Sequence, residues 1–522
     1  MPRASFPTLL VSLLGGALAV AGFAPFEFWL LPAASLAVLF GLLARTPSMR
    51  AGFLIGLAWG LGFFIAGVSW IFVSLSVYGG MAAWLATLAT FLFCAFLALF
   101  PAAVGALQAY PAGRRRWRIP PALRLLVLMP LLWGASEWVR GWIFTGFPWL
   151  VMGYSQVPAS PLAGFAPLFG VYGVSFLLAL AAAGLAWMLT SPRRARPKLW
   201  AAACLVALGV SGQGLRGIMW TTPDGAPTTV ALLQGNIPQD MKWQPEKTRA
   251  TLESYARMAA ASPAQLIVLP ETALPLFEAD LPASYRAALA SIGRKNGGDV
   301  LAGLPTGSQQ GAYYNSAISL GSAPSQRYHK VHLVPFGETI PLKAVWGWII
   351  QVLHIPLSDF ARGAIDQRPL AIGGQRVAVN ICYEDAFGEE IIRQLPEASV
   401  LVNMSNLAWF GDSFAPWQHA QMSQMRALES GRMMLRATNT GVTAIVDAQG
   451  RMLASLPLFA TGSLAGEIQA YAGSTPYVRW GNAPVLALWG ILGAALLAAG
   501  FYPRGAGRGC TAAKALKDSD PL

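Results

Sequence analysis

Charge is scarce in this chain. Of its 522 residues 12% are charged, and 55% are hydrophobic. A typical soluble domain is about 25% charged, so the composition excludes an ordinary soluble protein and points to a membrane. Acids are rarest at the start: residues 1–218 hold fourteen Lys or Arg but only two acids, Glu27 and Glu137. Residues 219–502 are balanced, with nineteen basic and twenty acidic residues, and 503–522 add four basic and two acidic ones. The net charge of +13 therefore belongs to the apolar part and the tail. It is not the basic face of a soluble domain that nucleic-acid binding requires. Internal repeats at periods of 20 to 50 residues and low-complexity stretches are absent too, which excludes solenoids and disordered arrays.

Long apolar segments fill the first part. Seven lie near 6–23, 28–44, 52–77, 81–108, 121–141, 165–190 and 198–215, and an eighth near 482–502. About 20 apolar residues cross a bilayer as a helix, so the shorter segments sit near the lower limit. The loops "RTPSMR" (45–50), "GRRRWR" (113–118) and "SPRRARPK" (191–198) are basic, whereas 24–28, 78–80 and 142–164 hold no Lys or Arg. The positive-inside rule puts the basic loops and the N-terminus in the cytoplasm. Seven crossings then export residues 219–480, and the eighth helix returns the chain to a cytoplasmic basic tail, 503–522.

The exported segment reads differently. Short apolar runs such as "TTVALLQGNIP", "AQLIVLPETALP" and "RVAVNICYED" end in turn residues and look like strands. Helical stretches alternate with them near 245–260, 282–296 and 414–431, which predicts an α/β layered domain. Cysteine is nearly absent. Cys94 and Cys204 fall in apolar segments and Cys510 in the tail, which leaves Cys382 as the only thiol of the exported segment. It has no disulfide partner there. A buried small hydrophobe is the usual fate of such a residue, yet a solitary thiol in an oxidising compartment invites a chemical reason.

A cysteine nucleophile needs a base and a holder for the developing oxyanion. Histidine is the common base, and the chain has four: His329, His332, His354 and His419. The His329/His332 spacing lacks a third ligand, so no metal is expected, and no cofactor either. Carboxylates serve better. Glu271 in "IVLPETALP", Lys330 in "RYHKVHLVPFGE" and Glu338 at the end of that stretch each place a charge at or near the end of an apolar run. Any one of them alone also fits a solvated loop charge.

Taken together, Glu271, Lys330 and Cys382 resemble, in order and spacing, the Glu–Lys–Cys triad of the nitrilase (carbon–nitrogen hydrolase) superfamily. Over nearly its whole length the chain is similar to one family within it, the apolipoprotein N-acyltransferases. Further stretches carry the likeness: "LLQGNIPQDMKW" (232–243), "RGWIFTGFPWLVMGYSQ" (140–156) and "WFGDSFAPWQHAQMSQMRALE" (409–429). One departure is visible: Asn406 is followed by Leu407 and Ala408 where the family usually has Asn then Asp. The resemblance implies about eight membrane helices and an inserted α-β-β-α sandwich: membrane residues 1–218, a nitrilase-like catalytic domain at 219–480 and a last helix at 481–502. It implies an enzyme of the bacterial inner membrane with its catalytic domain on the periplasmic side. Its partners would be a phospholipid acyl donor and a diacylglyceryl lipoprotein acceptor.

In that reading Glu271 is the general base, because a buried, partly desolvated carboxylate is basic enough to take a thiol proton. Lys330 and the backbone N–H of Tyr383 hold the oxyanion. Glu338 orients Lys330 or Glu271, and Glu384 braces the loop after the nucleophile. Trp149, Trp243 and Trp409 line the acyl path or simply pack. Arg140 meets a phosphate or anchors a helix end. The stretch 344–357, with Trp346 and Trp348, is a lid at the membrane surface or a core helix. Two rivals stay open: a membrane-tethered amidase that gives the acyl group to water, and a transporter, although transporters place charges in their spans.

Overall fold

The computed structural model describes residues 4–46, 48–110, 119–190, 195–308, 311–339 and 359–501. The stretch 344–357, His354 and the tail 503–522 lie outside the described residues. Among the described residues eight apolar helices occupy the expected segments, and six of them are long and apolar enough to cross a membrane: Met49–Val68, Ala83–Ala109, Pro121–Arg140, Pro161–Thr190, Arg196–Arg216 and Ala483–Gly500. The first two, Phe6–Gly22 and Leu30–Ala44, are shorter. The loop between them explains this: the first helix tightens into a 3-10 turn at Val20–Gly22, and Glu27 at φ 58° delays the second until Leu30.

Small residues set the helix spacing. Gly52, Gly56 and Gly60 recur every four residues along Met49–Val68, hence on one face. A Cβ on Gly52 or Gly56 would lie 2.0 or 2.2 Å from the carbonyls of Gly105 and Pro101 in Ala83–Ala109. Backbones can approach this closely only over glycine, a common solution where lipid removes the hydrophobic drive for helix pairing.

Among the described residues the α/β part is a sandwich of two six-stranded sheets. The first holds, in spatial order, β12 (Gly462–Gly473), β1 (Thr221–Gln234), β2 (Leu266–Val268), β3 (Asp299–Gly307), β4 (Tyr313–Gly321) and β5 (Arg327–His329). The second holds β11 (Met452–Ser455), β10 (Ala444–Val446), β9 (Met434–Thr438), β8 (Val400–Ser405), β7 (Gln375–Ile381) and β6 (Leu370–Ile372). In both sheets the central strands are parallel and the outer pairs antiparallel. Residues alternate faces along each strand. Val377, Val379 and Ile381 of β7 meet Leu232 and Val268 between the sheets, whereas Ala378 and Leu401 face outward. Outside the first sheet lie helices Pro245–Ala260 and Ala283–Lys295, through Leu252, Tyr255 and Leu289.

Outside the second sheet lies Ala415–Ser430, which is buried at every residue except Trp417. Ala427 packs on the sheet, while Ala415, Met422, Met425 and Leu428 belong to the core of the membrane helices. Polar residues on the same helix lock the contact. Gln418 accepts from the indole N–H groups of Trp149 (2.7 Å) and Trp70 (3.2 Å). Gln421 accepts from Ala24 N and donates to Val157 O. Glu429 accepts from Val171 N at 2.6 Å.

That last bond answers a break in the chain. Gly170 at φ 64°, ψ −175° interrupts Pro161–Thr190 and frees the N–H of Val171, which a carboxylate then caps. This backbone region is essentially restricted to glycine, and a Cβ there would lie 2.3 Å from the Tyr477 ring. Gly170→Ala should therefore destabilise the protein by about 2 kcal/mol or more. The measurement is thermal unfolding in detergent; an unchanged Tm would show that the kink tolerates a side chain.

Candidate active site

Cys382 is the residue after β7. It turns at φ 54° into the 3-10 turn Cys382–Ala386, which lifts its side chain out of the sheet. Such a conformation is costly for a residue with a side chain and has to be held by its surroundings. Glu384 does much of the holding. Its carboxylate accepts from the backbone N–H of Ile381 (2.6 Å), Val331 (2.6 Å) and His332 (3.1 Å), and from the Tyr328 hydroxyl. One buried side chain thus ties the cysteine turn to the loop that carries Lys330. Burial lifts this carboxyl to about 7 against the pull of those donors. Tyr383 is buried, and its hydroxyl donates to Gly146 O in a loop of the membrane part.

Glu271 follows β2, and Lys330 follows β5. Their side chains meet at 3.2 Å, and Glu338 approaches the same ammonium at 2.9 Å. Asn315 on β4 donates to both carboxylates, at 2.7 and 2.9 Å. The second oxygens are also occupied, Glu271 by Asn406 N at 2.8 Å and Glu338 by Val334 N at 2.9 Å. Burial pulls the Lys330 ammonium down, but Glu271 and Glu338 outweigh it and hold the group well above the usual lysine range. The thiol of Cys382 is pushed well up, by burial first and then by the charge of Glu271; Lys330 opposes both. At neutral pH the resting cysteine is therefore a neutral thiol, and it needs a base to become a nucleophile.

The structure brings Glu271, Lys330, Glu338, Cys382, Tyr383 and Glu384 together. Arg140 is 3% exposed and donates to the carbonyls of Phe147 and Trp149, with Glu137 at 4.0 Å. It closes a helix end and does not face outward. Trp149 is buried, with its indole on Gln418 and its ring on His419. Trp409 is half-buried against Tyr78, and Trp243 is half-buried.

Sequence reasoning missed Lys242, the residue before Trp243. It is 4% exposed and donates to Glu271 O and to the Thr272 hydroxyl. Burial lowers it to about 8, while Glu271 and Cys382 pull the other way. It also missed Asn315, Arg436 and the place of His419. An Asn or an Arg inside an apolar strand was the available signal, since such a residue must find partners when buried.

Comparison with known proteins agrees with this layout. A model of the apolipoprotein N-acyltransferase N-terminal domain matches residues 15–184, and a carbon–nitrogen hydrolase model matches 229–477. The apolipoprotein N-acyltransferase of Nitrosomonas europaea is 54% identical, over 91% of this chain and 94% of its own length. The chain belongs to the apolipoprotein N-acyltransferase family. The family's protein from Chromobacterium violaceum is 46% identical over 95% of both chains. A crystal structure of an amidase from Nesterenkonia sp. is 20% identical, covers 50% of this chain and 96% of its own, and superposes with a TM-score of 0.37. With its apolar helices and bacterial relatives, this member of the family is a bacterial membrane protein.

The charges around Cys382 can be tested by titrating it. Lys330→Met should move the pH profile of thiol alkylation upward, because a cation that favours the thiolate is lost. Glu271→Gln should move it downward, because a carboxylate that disfavours the thiolate is lost. Rates of labelling with a small neutral alkylating agent, read by intact mass between pH 6 and pH 10 or so, check both signs. Shifts in the opposite directions would remove Cys382 from the field of these two groups.

Proposed function

We propose that the protein transfers a fatty acyl chain from a phospholipid to the α-amine of an N-terminal diacylglyceryl-cysteine of a lipoprotein, through a thioester on Cys382. The observation that carries this reading is the convergence of Glu271, Lys330 and Cys382 from three strand ends, beside a cysteine turn that hydrogen-bonds the membrane part. Ligands of open α/β sheets bind at such carboxyl ends.

Glu271 takes the thiol proton, and the sulfur attacks the ester carbonyl carbon. Negative charge builds on the carbonyl oxygen, where Lys330 and the N–H of Tyr383 receive it. The ester C–O bond breaks, and the lysophospholipid leaves with the proton from Glu271. The lipoprotein amine then attacks the thioester carbonyl, Glu271 takes the amine's proton, the amide forms and the thiol is restored. The two half-reactions predict ping-pong kinetics. Glu338 steadies Lys330, and Glu384 keeps the two loops in register. Lys242 holds the Glu271 turn through its carbonyl and Thr272.

The basic loops assign the cytoplasmic face, so the site works on the outer side of the inner membrane. Residues 1–218 and 481–502 serve as the membrane part, 219–480 as the catalytic domain and 503–522 as a cytoplasmic tail. The apolar stretch 344–357 is suited to guard lipid entry, and Trp243 and Trp409 to flank the acyl chain.

Cys382→Ser should abolish transfer and leave no acyl adduct, as read by mass spectrometry after incubation with labelled phospholipid. Glu271→Gln and Lys330→Ala should each slow adduct formation by about 100-fold or more, and both proteins should still fold. An adduct on another residue, or normal loading in either charge variant, would overturn the assignments. Release of free fatty acid without need of a diacylated peptide would favour the amidase-like rival.

A further inference from the structure

A buried polar network lies beneath the nucleophile turn and is not used by the mechanism above. His419, 1% exposed, places its Nε2 at 3.0 Å from the carbonyl oxygen of Cys382. Its Nδ1 lies 2.9 Å from Nη2 of Arg436, which is fully buried on β9. A guanidinium can only donate. Nδ1 therefore accepts, the ring is neutral, and Nε2 carries the hydrogen that goes to Cys382 O. Burial and the neighbouring guanidinium both keep this imidazole well below the usual histidine range.

A second donor reaches the same carbonyl, Asn403 Nδ2 at 3.3 Å. The other end of that side chain, Oδ1, accepts from Nη1 of Arg436 at 2.9 Å. One guanidinium thus backs both hydrogen bonds on Cys382 O. Ser423 and the carbonyl of Val442 hold it in place, Asp385 lies 3.5 Å away to balance its charge, and Trp149 covers the histidine ring from the membrane side.

The carbonyl of Cys382 and the N–H of Tyr383 belong to one planar peptide group. Donors on the oxygen fix the plane and draw electron density toward it. The N–H at the other end becomes a better donor, as in any polarised chain of hydrogen bonds. We propose that Arg436, acting through His419 and Asn403 on the Cys382 carbonyl, orients and polarises the Cys382–Tyr383 peptide so that its N–H stabilises the oxyanion of acyl transfer. This rests on the reading of Cys382 as the acyl carrier. His419, Asn403 and Arg436 are positioning residues, since none of them bonds the thiol.

The test is the acyl-enzyme formed by the full-length protein with a phospholipid carrying a carbon-13 carbonyl, followed by isotope-edited infrared spectroscopy. The thioester carbonyl would sit against the Tyr383 N–H, so its stretching frequency reports the strength of that donor. In His419→Phe the band should move to higher frequency, and the acylation rate at saturating lipid should fall about 10-fold, with KM and Tm little changed. His419→Gln, which again offers a donor beside an acceptor, should recover part of both. Should the Phe variant fail to fold, Asn403→Ser removes the second donor together with its bonds to Asn380 and Arg436, leaves His419 in place, and should give a smaller shift of the same sign. An unmoved band in a folded variant overturns the inference, whether or not the rate falls. No thioester band in the parent protein would instead overturn the acyl-carrier reading, and this inference with it.

Discussion

Two carboxylates and an ammonium cannot leave water together unless each finds its counter-charge within hydrogen-bonding distance. Burying one charge alone costs several kcal/mol, and only close pairing with satisfied lone pairs returns it. Lys330 meets that condition by standing 3.2 Å from Glu271 and 2.9 Å from Glu338, while Asn315 and two backbone N–H groups fill the remaining carboxylate positions. The requirement fixes more than three side chains. Glu271 comes from the end of β2, Lys330 from the end of β5, and Asn406 from the end of β8 in the other sheet. Satisfying the ion cluster therefore ties one sheet to the other beside Cys382.

The same electrostatics divides labour among acids of one kind. Glu384, closed in by backbone donors, ties two loops together. Glu271 keeps an oxygen beside the lysine and faces the thiol. Glu338 has its second oxygen pinned by its own loop at Val334. Position relative to strand ends, and not residue type, decides which carboxylate can move a proton. The neutral thiol suits a chain that handles reactive acyl groups: a cysteine that becomes nucleophilic only when its proton is taken is less open to stray oxidants than a standing thiolate.

Much of this was readable in the sequence where chemistry is local. A short apolar run cut off by Glu271, by Lys330 or by Cys382 announces a strand end with a functional group on it, and the structure has all three at such ends. The layered α/β fold followed from alternating strands and helices. Contacts assembled from distant segments were not readable. His419 sits mid-helix in the stretch 414–431, readable only as a helix, and only the docking of that helix beneath β7 turns it toward Cys382. Arg140 looked like an outward anchor because a helix end near an interface usually is one; the loop 147–149 folds back over it and takes its donors. The shortness of the first two helices was readable from the length of their apolar runs, but the turn at Glu27 between them was not, since a run of apolar residues does not reveal where the backbone turns.

The helix Ala415–Ser430 shows how the two parts of the molecule are related. In a free-standing sandwich an outer helix would show one polar face to water. Here both faces are covered, one by the second sheet and the other by the membrane helices through Met422, Met425 and Leu428. The α/β half is therefore unfinished when taken alone, for cutting it free would uncover an apolar strip on the very layer that carries Cys382. Efforts to obtain a water-soluble enzyme by trimming would meet aggregation before any loss of chemistry. Redesigning that strip with polar residues would be the first step toward a detachable catalyst, and the glutamines at 418 and 421 already mark where its surface would have to be rewritten.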